Sequence, residues 1–153
     1  MNEELTLKIE RIFDAPIQKV WDAWTKPELL QQWSCPQTFE VTKQEGDLKE
    51  GGEWCARMES AELGYTGDLR GEYKLLDEPH KLVSTHQWVD DSGNDGKATE
   101  YTVELSEADG KTHMTFTQTG FVSAESRDSH YGGWQETFSK LDSLVRRNDT
   151  SRG

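Results

Sequence analysis

The chain has 153 residues, enough for one domain with a substantial core. Hydrophobic residues make up 33%, six tryptophans are present, and the formal net charge is −12 at pH 7. Because it lacks a basic footprint, the sequence excludes nucleic acid as a partner and argues against an anionic membrane surface. No apolar segment approaches the roughly 20 residues of a membrane span, and neither a signal peptide nor a disulfide framework is recognisable. We therefore expect a cytoplasmic protein.

The N-terminal part of the sequence predicts one strand followed by two short helices. Residues 5–13 alternate apolar and polar side chains, as a half-buried strand does. Pro16 suits the first position of the first helix. The apolar stripe of that helix follows helical spacing and consists of Ile17, Val20, Trp21 and Trp24. Pro27 begins a second short helix, which ends before Pro36.

From residue 39 to residue 119 the sequence predicts only strands and turns. Six alternating segments follow the helices, separated by turns rich in glycine and aspartate. Because the six segments are consecutive, we expect an antiparallel meander and a sheet of about seven strands in all. Gly67 and Gly71 lie four residues apart on one strand, and hence on one face, where they would help the sheet to bend.

A long helix is predicted near the C-terminus, with two adjacent glycines near its start. Its apolar stripe is predicted to consist of Tyr131, Trp134, Phe138, Leu141 and Val145. Gly132 and Gly133 each cost roughly 1 kcal/mol inside a helix. Either the helix begins at Trp134, or the glycines permit close packing or leave room at a cavity mouth. We expect one domain over residues 1–147 and a polar tail over residues 148–153.

The order of one strand, two short helices, six strands and a long helix resembles the START-like (SRPBCC) superfamily. More narrowly, the chain resembles the activator of heat-shock-protein-90 ATPase homologue-like family, of C-terminal-domain type. The segments that carry the resemblance are IERIFDAPIQKVWDAWTKPELLQQWSCP, EGGEWCARM, GEYKLLDEPHKLVSTHQW, THMTFTQTGF and GGWQETFSKLDSLV. The resemblance covers residues 5–145 and implies an α+β helix-grip (START/Bet v 1-like) fold. In this fold a curved antiparallel sheet of about seven strands wraps around the long C-terminal helix.

The resemblance also implies a deep, largely apolar cavity between the sheet and the C-terminal helix, but no common reaction. Members of the superfamily bind lipids, sterols, plant hormones or polyketides, and some are cyclases or hydroxylase components. The family is named for a eukaryotic cochaperone in which the corresponding domain follows a separate N-terminal domain. This chain has no room for a second domain, so we do not expect a chaperone partner.

Eleven side chains are predicted to bind a ligand in this cavity. They are Trp54, Met58, Tyr73, His86, Trp88, Tyr101, Met114, Phe116, Gln118, Trp134 and Phe138. His86 and Gln118 would be the isolated polar groups that orient a ligand in an apolar site. The alternative is structural: the aromatic residues fill the core, His86 is a satisfied structural histidine and Gln118 is an ordinary exposed glutamine.

No motif indicates a metal, a cofactor or a catalytic group. The four histidines have no close pairing, and Cys35 and Cys55 form no CxxC arrangement. The segment EGGEW precedes a predicted strand and not a helix, so it is no phosphate-binding fingerprint. A buried carboxylate in the cavity could act as an acid or a base without any sequence signature.

Three functions therefore stay open. The first is a small soluble binding protein that encloses an apolar or aromatic small molecule. The second is a cyclase- or hydrolase-like enzyme that uses the same cavity, which requires a cavity carboxylate or His86 with a perturbed pKa. The third is a cochaperone-type interaction module, which requires an exposed patch and a small or filled cavity. The sequence leaves a homodimer open as well.

Overall fold

The fold is seen in a computed structural model that describes residues 6–33, 40–62, 64–90, 99–121 and 123–146. The elements are β1 (Leu7–Phe13), α1 (Ile17–Thr25), α2 (Pro27–Trp33), β2 (Glu40–Gly46), β3 (Glu53–Ser60), β4 (Tyr65–Asp77), β5 (Lys81–Asp90), β6 (Thr99–Ala108), β7 (Lys111–Thr119) and α3 (Ala124–Val145). This order confirms the predicted α+β helix-grip fold. The predicted tail, residues 148–153, and Cys35 lie outside the described residues.

All seven strands belong to one antiparallel sheet, in the order β1-β7-β6-β5-β4-β3-β2. Strands β2 to β7 form the predicted meander, and β1 pairs with β7. The connection from β6 to β7 is a tight turn at Asp109 and Gly110, with φ of 57° and 77°. Such left-handed values match the right-handed twist of the two strands, and an Asp-Gly pair adopts them at little cost. The edges of the sheet are β1 and β2.

The strand register places the inward side chains in rows that run across the sheet. The first row, which we call the apolar row, consists of Leu82, Val103, Phe116 and Ile9, each opposite the next. The second row, which we call the polar row, consists of Tyr73, Ser84, Tyr101 and Gln118. The rows are two residues apart along each strand, and all eight side chains are buried.

Helices α1 and α3 cover this inner face. The ring of Phe116 in the apolar row lies 5.2 Å from Phe138 of α3 and 6.0 Å from Trp24 of α1, measured between ring centroids. At the edge of the sheet, Arg11 Nη2 donates to the backbone carbonyl and to the side-chain oxygen of Gln135, at 3.2 and 3.0 Å. The core therefore lies between one sheet face and the helices. None of the described helices is long and apolar enough to cross a membrane.

Helix α3 differs from its prediction at the N-terminal end. It begins at Ala124, so the alternative that it starts at Trp134 is wrong, and Gly132 and Gly133 lie inside it. A Cβ atom on Gly132 would meet nothing within 4 Å, so close packing does not require that glycine. Tyr131, predicted on the buried stripe, is 44% exposed. The first half of α3 extends beyond the buried core, and its stripe is buried only from Phe138 onward.

Candidate functional site

A small, partly enclosed space lies between the inner face of the sheet and the helices, and we call it the interior space. Its volume is about 40 Å³, room for about one water molecule. Eleven residues line it: Trp24, Leu30, Trp33, Gln44, Trp54, Ala56, Leu69, Tyr73, His86, Tyr101 and Trp134. They come from all three helices and from strands β2 to β6.

The interior space is much smaller than the deep cavity that the resemblance implied. The physical reason is the aromatic packing around Trp24. Its ring lies within 6.4 Å of five other aromatic rings, namely those of Trp33, Tyr101, Phe116, Trp134 and Phe138. Side chains of this size fill most of the volume between the layers.

The structure divides the eleven predicted ligand-binding residues into two groups. Those that line the interior space are Trp54, Tyr73, His86, Tyr101 and Trp134. Those that are buried without lining it are Met58, Met114, Phe116, Gln118 and Phe138. The backbone of Trp88 pairs with Leu69, and its side chain lies outside the described part of the chain. Ligand binding by any of these residues stays a prediction.

The sequence interpretation missed six lining residues: Trp24, Leu30, Trp33, Gln44, Ala56 and Leu69. Trp24 belongs to the apolar stripe predicted for α1, and Trp33 is the last residue of α2. The sequence did contain a signal for Trp24. A helix that covers the inner face of a sheet turns its apolar stripe toward that face, so residues of the stripe also line any space left between the helix and the sheet.

Trp54 owes its position to a glycine on the neighbouring strand. Its partners across β2 and β4 are Gly46 and Gly71. A Cβ atom on Gly71 would lie 2.6 Å from Trp54 Nε1 and 2.1 Å from the Thr85 carbonyl oxygen, so no larger residue fits. The indole therefore passes over β4, and its Nε1 donates to Ser84 Oγ on β5 at 2.8 Å.

Part-buried hydrogen bonds join Gln118 of the polar row to helix α3 and to strand β6. Trp134 Nε1 donates to Gln118 Oε1 at 2.7 Å, and Gln118 Nε2 donates to Thr99 Oγ1 at 2.7 Å. Thr99 Oγ1 in turn donates to the His86 carbonyl at 3.1 Å. Gln118 is 0% exposed, so the alternative that it is an ordinary exposed glutamine is wrong. Its amide links α3 to the sheet.

The titratable groups facing the interior space are uncharged at neutral pH. Burial raises the pKa of Tyr73 to about 12. Burial also raises the pKa of Tyr101, Tyr73 adds to this effect, and the hydrogen bond to Ser84 opposes it. Burial lowers the pKa of His86 to about 4, and the nearby charge of His130 lowers it further. The imidazole of His86 is therefore neutral, with one donor and one acceptor nitrogen.

Four tryptophans line the interior space, and three of their indole N–H groups donate a hydrogen bond to an acceptor in the described residues. Trp33 Nε1 donates to the Ala23 carbonyl at 2.9 Å, Trp54 Nε1 to Ser84 and Trp134 Nε1 to Gln118. Trp24 Nε1 is buried and has no acceptor among the described residues. More than nine in ten buried polar groups in proteins have a partner, so this donor requires an explanation.

Catalytic chemistry has little support in this arrangement. Ser84 Oγ donates its hydrogen to the Thr85 carbonyl at 2.8 Å, whereas a serine nucleophile needs a base in that position. Among the described residues, no carboxylate lines the interior space. In the described part of the chain no three His, Cys, Asp or Glu side chains are grouped so that they could hold a metal ion. Of the two features that the enzyme hypothesis offered, a cavity carboxylate or a perturbed pKa of His86, the described residues show the second.

A wider depression of about 640 Å³ lies on the opposite, outer face of the sheet. Its outward side chains are Glu45, Asp47, Glu53, Cys55, Arg70, Glu72, Thr85 and Gln87. Four carboxylates and one guanidinium dominate this lining, and the depression is open to solvent. It differs in kind from the aromatic interior space and does not resemble an apolar ligand site.

Comparisons with known proteins agree with this architecture. A protein from Chromobacterium violaceum has a TM-score of 0.85 at 23% identity, over 97% of this chain and 100% of its own. The AHSA1 protein from Silicibacter pomeroyi has a TM-score of 0.80 at 22% identity, over 92% and 96% of the two chains. A Staphylococcus epidermidis protein has a TM-score of 0.78 at 26% identity, over 92% and 89%.

The search of curated proteins found no match. The family model that does match is described as activator of Hsp90 ATPase homolog 1-like protein, and it matches residues 14–146. This range runs from the end of β1 through α3 and includes every residue that lines the interior space. The chain therefore belongs to the family of activator of Hsp90 ATPase homolog 1-like proteins.

Proposed function

We propose that the protein binds an apolar or aromatic small molecule in the interior space between the sheet and α3. The observation that supports this proposal is the lining. Six tryptophan and tyrosine side chains from three helices and three strands converge on one space, and the eleven described lining residues include no Lys, Arg, Asp or Glu. Sites for small molecules in proteins have this character, an apolar wall with a few fixed polar groups.

Burial of ligand carbon supplies the affinity. Removing about 200 Å² of apolar ligand surface from water contributes roughly 5 kcal/mol. Part of that free energy offsets the loss of ligand motion. The expected dissociation constants therefore lie at about a millimolar or above.

Binding requires the walls of the interior space to move apart, since about 40 Å³ holds only a water molecule. We assign this movement to α2 and β2. As an edge strand, β2 has one neighbour, and its pairing with β3 shifts register between Val41 and Lys43. Gln31 Nε2 joins α2 to the Val41 carbonyl through a long hydrogen bond of 3.3 Å.

The test combines tryptophan fluorescence and thermal unfolding with a panel of fatty acids, sterols and aromatic polyketides. A ligand of the native state quenches the fluorescence and raises Tm with concentration. The variant Ala56→Val fills the interior space from β3, so binding should be lost while Tm is kept. Thr117→Val, at an outward position on β7, is the matched control and should bind like the native chain. Equal binding by all three proteins would overturn the proposal.

A cochaperone-type interaction module is the second candidate, and the small volume of the interior space favours it. It predicts no thermal shift with any ligand class. It also predicts that the protein raises the ATPase rate of a purified heat-shock-protein-90 chaperone. An unchanged ATPase rate, together with a ligand-dependent rise in Tm, would exclude this candidate.

A further inference from the structure

We propose that Trp24 is the polar anchor of the interior site, and that the site takes an uncharged ligand whose hydrogen-bond acceptor pairs with Trp24 Nε1. The inference rests on the proposed function, because it names the class of ligand that the interior space selects. The acceptor is a carbonyl, ether or hydroxyl oxygen on an otherwise apolar or aromatic molecule.

The first argument is the hydrogen-bond inventory of the lining. The indole donors of Trp33, Trp54 and Trp134 are all paired with protein acceptors, at 2.7 to 2.9 Å. Trp24 is 3% exposed, and its Nε1 has no acceptor among the described residues. A buried donor without a partner is destabilising, so an acceptor that enters the space can form a hydrogen bond that the described residues do not supply.

The second argument is that Trp24 is already held in place. Its ring stacks on Phe116 with an interplanar angle of 18° and meets Trp33 edge-on at 4.8 Å. The indole cannot rotate to find a protein acceptor without breaking this aromatic packing. The donor is therefore fixed before a ligand arrives, and a fixed group loses little entropy on binding.

The third argument concerns charge. The eleven lining residues include no Lys, Arg, Asp or Glu, and His86 is neutral at pH 7. A carboxylate in this space would leave water without meeting a cation, which is strongly unfavourable. An uncharged acceptor avoids this penalty and still pairs with the indole N–H.

The experiment follows the indole N–H signals of the ¹⁵N-labelled full-length protein while three probes of similar size are added. The probes are acetophenone, ethylbenzene and benzoate at pH 7.5. Acetophenone should bind about tenfold more tightly than ethylbenzene, because it restores the missing hydrogen bond. Benzoate should bind at least about a hundredfold more weakly than acetophenone. The Trp24 signal should move downfield with acetophenone and not with ethylbenzene.

Two variants assign the signal and test the anchor. Trp24→Phe removes the donor, so acetophenone and ethylbenzene should then bind equally well. Trp21→Phe is the matched control on the same helix, since Trp21 is buried but does not line the interior space. It should keep the tenfold preference. If Trp24→Phe does not fold, through-bond assignment of the indole signals in the native protein identifies the Trp24 signal, and its response to acetophenone decides the question.

The outcomes separate this inference from the proposed function. Equal binding of acetophenone and ethylbenzene by the native protein, or a Trp24 signal that stays still when acetophenone saturates, overturns the anchor alone. The anchor also falls if a water molecule keeps its bond to Trp24 Nε1 at saturation, detected as a persistent water–indole cross-peak. If none of the probes binds up to its solubility limit, the interior space is not a site for aromatic molecules and both proposals fall.

Discussion

The apolar row and the polar row lie two residues apart on the same sheet face and are both buried, yet their side chains differ in chemistry and in role. Val103, Phe116 and Leu82 of the apolar row are 0% exposed and belong to the hydrophobic core. The polar row carries hydroxyl and amide groups at the same depth, and its members Tyr73 and Tyr101 line the interior space.

The comparison teaches where stability and binding are located. An apolar side chain in a core needs only volume, so the apolar row packs without leaving space. A buried polar group needs a partner in a fixed direction, which limits how tightly its surroundings can close. The residual space and its unpaired donor therefore occur beside the polar row.

The largest expected effect is in the apolar row. Phe116→Ala removes a ring that contacts Trp24, Trp134 and Phe138. We expect a loss of about 4 kcal/mol in the free energy of unfolding, measured by urea denaturation, because the packed surroundings cannot collapse into the void. A loss below about 1 kcal/mol would show that the apolar row does not carry the stability.

The second effect concerns Gly71, which leaves room for the Trp54 indole that donates to Ser84 of the polar row. Gly71→Ala places a Cβ atom 2.1 Å from the Thr85 carbonyl oxygen and 2.6 Å from Trp54 Nε1. We expect a loss of about 3 kcal/mol, because backbone as well as indole must shift. Thermal unfolding measures it.

Gly132→Ala is the matched control for Gly71→Ala. Its Cβ atom meets nothing within 4 Å on an exposed helix position. We expect a gain of up to about 1 kcal/mol from helix propensity. Equal effects of the two substitutions would contradict the role given to Gly71.

The third effect is the pH dependence of stability due to His86, which lies on β5 two residues after Ser84 of the polar row. Its folded-state pKa, about 4, lies below the usual value of 6.5. Between these two values the unfolded chain binds a proton that the folded protein does not, so stability falls as pH falls from about 6.5 to 4. The contribution is roughly 2 to 3 kcal/mol and is constant above pH 6.5.

Comparison with His86→Gln isolates the contribution of His86 to the pH dependence of stability, because all other titrating groups are shared by the two proteins. Urea denaturation between pH 4 and pH 8 gives the two stability curves. The native curve should fall more steeply than that of the variant on the acidic side. Parallel curves would mean that His86 protonates as readily in the folded protein as in the unfolded chain.

The smallest expected effect comes from replacing the amide side chain of the polar row by an apolar one. Gln118→Leu removes the acceptor of Trp134 Nε1 and the donor to Thr99. We expect a loss of about 2 kcal/mol in the free energy of unfolding, since a buried indole N–H is left unpaired. Gln32→Leu, at an exposed position on α2, should change it by less than about 0.5 kcal/mol. A stabilised Gln118→Leu protein would show that the polar row is not needed for folding.

Much of the fold could be predicted because its signals are local. Alternation placed Trp54, Tyr101 and Phe116 on inward faces, and helical spacing located α1 and the buried part of α3. The start of α3 could not be predicted in this way. Gly132 lies on an exposed side of the helix, where its cost is small and its sequence signal misleading.

The candidate site could be predicted only in part, because it depends on contacts between distant segments. Alternation indicated the inward face for His86 and Gln118, but not the hydrogen bond that joins Gln118 to Trp134. Register shifts in the β2–β3 and β4–β5 pairs decide which side chains meet, and they leave no sequence pattern. That Trp24 Nε1 has no acceptor among the described residues follows only from the positions of distant segments.

The path of the Trp54 indole over Gly71 to Ser84 has an evolutionary consequence. A side chain at position 71 would collide with the Thr85 carbonyl oxygen as well as with the Trp54 indole, so a smaller residue at position 54 does not make room for it. Glycine is therefore required at position 71, whereas Trp54 and Ser84 depend on each other through their hydrogen bond. Among members of the family, we expect glycine to be retained here, and tryptophan and serine to be retained or replaced together.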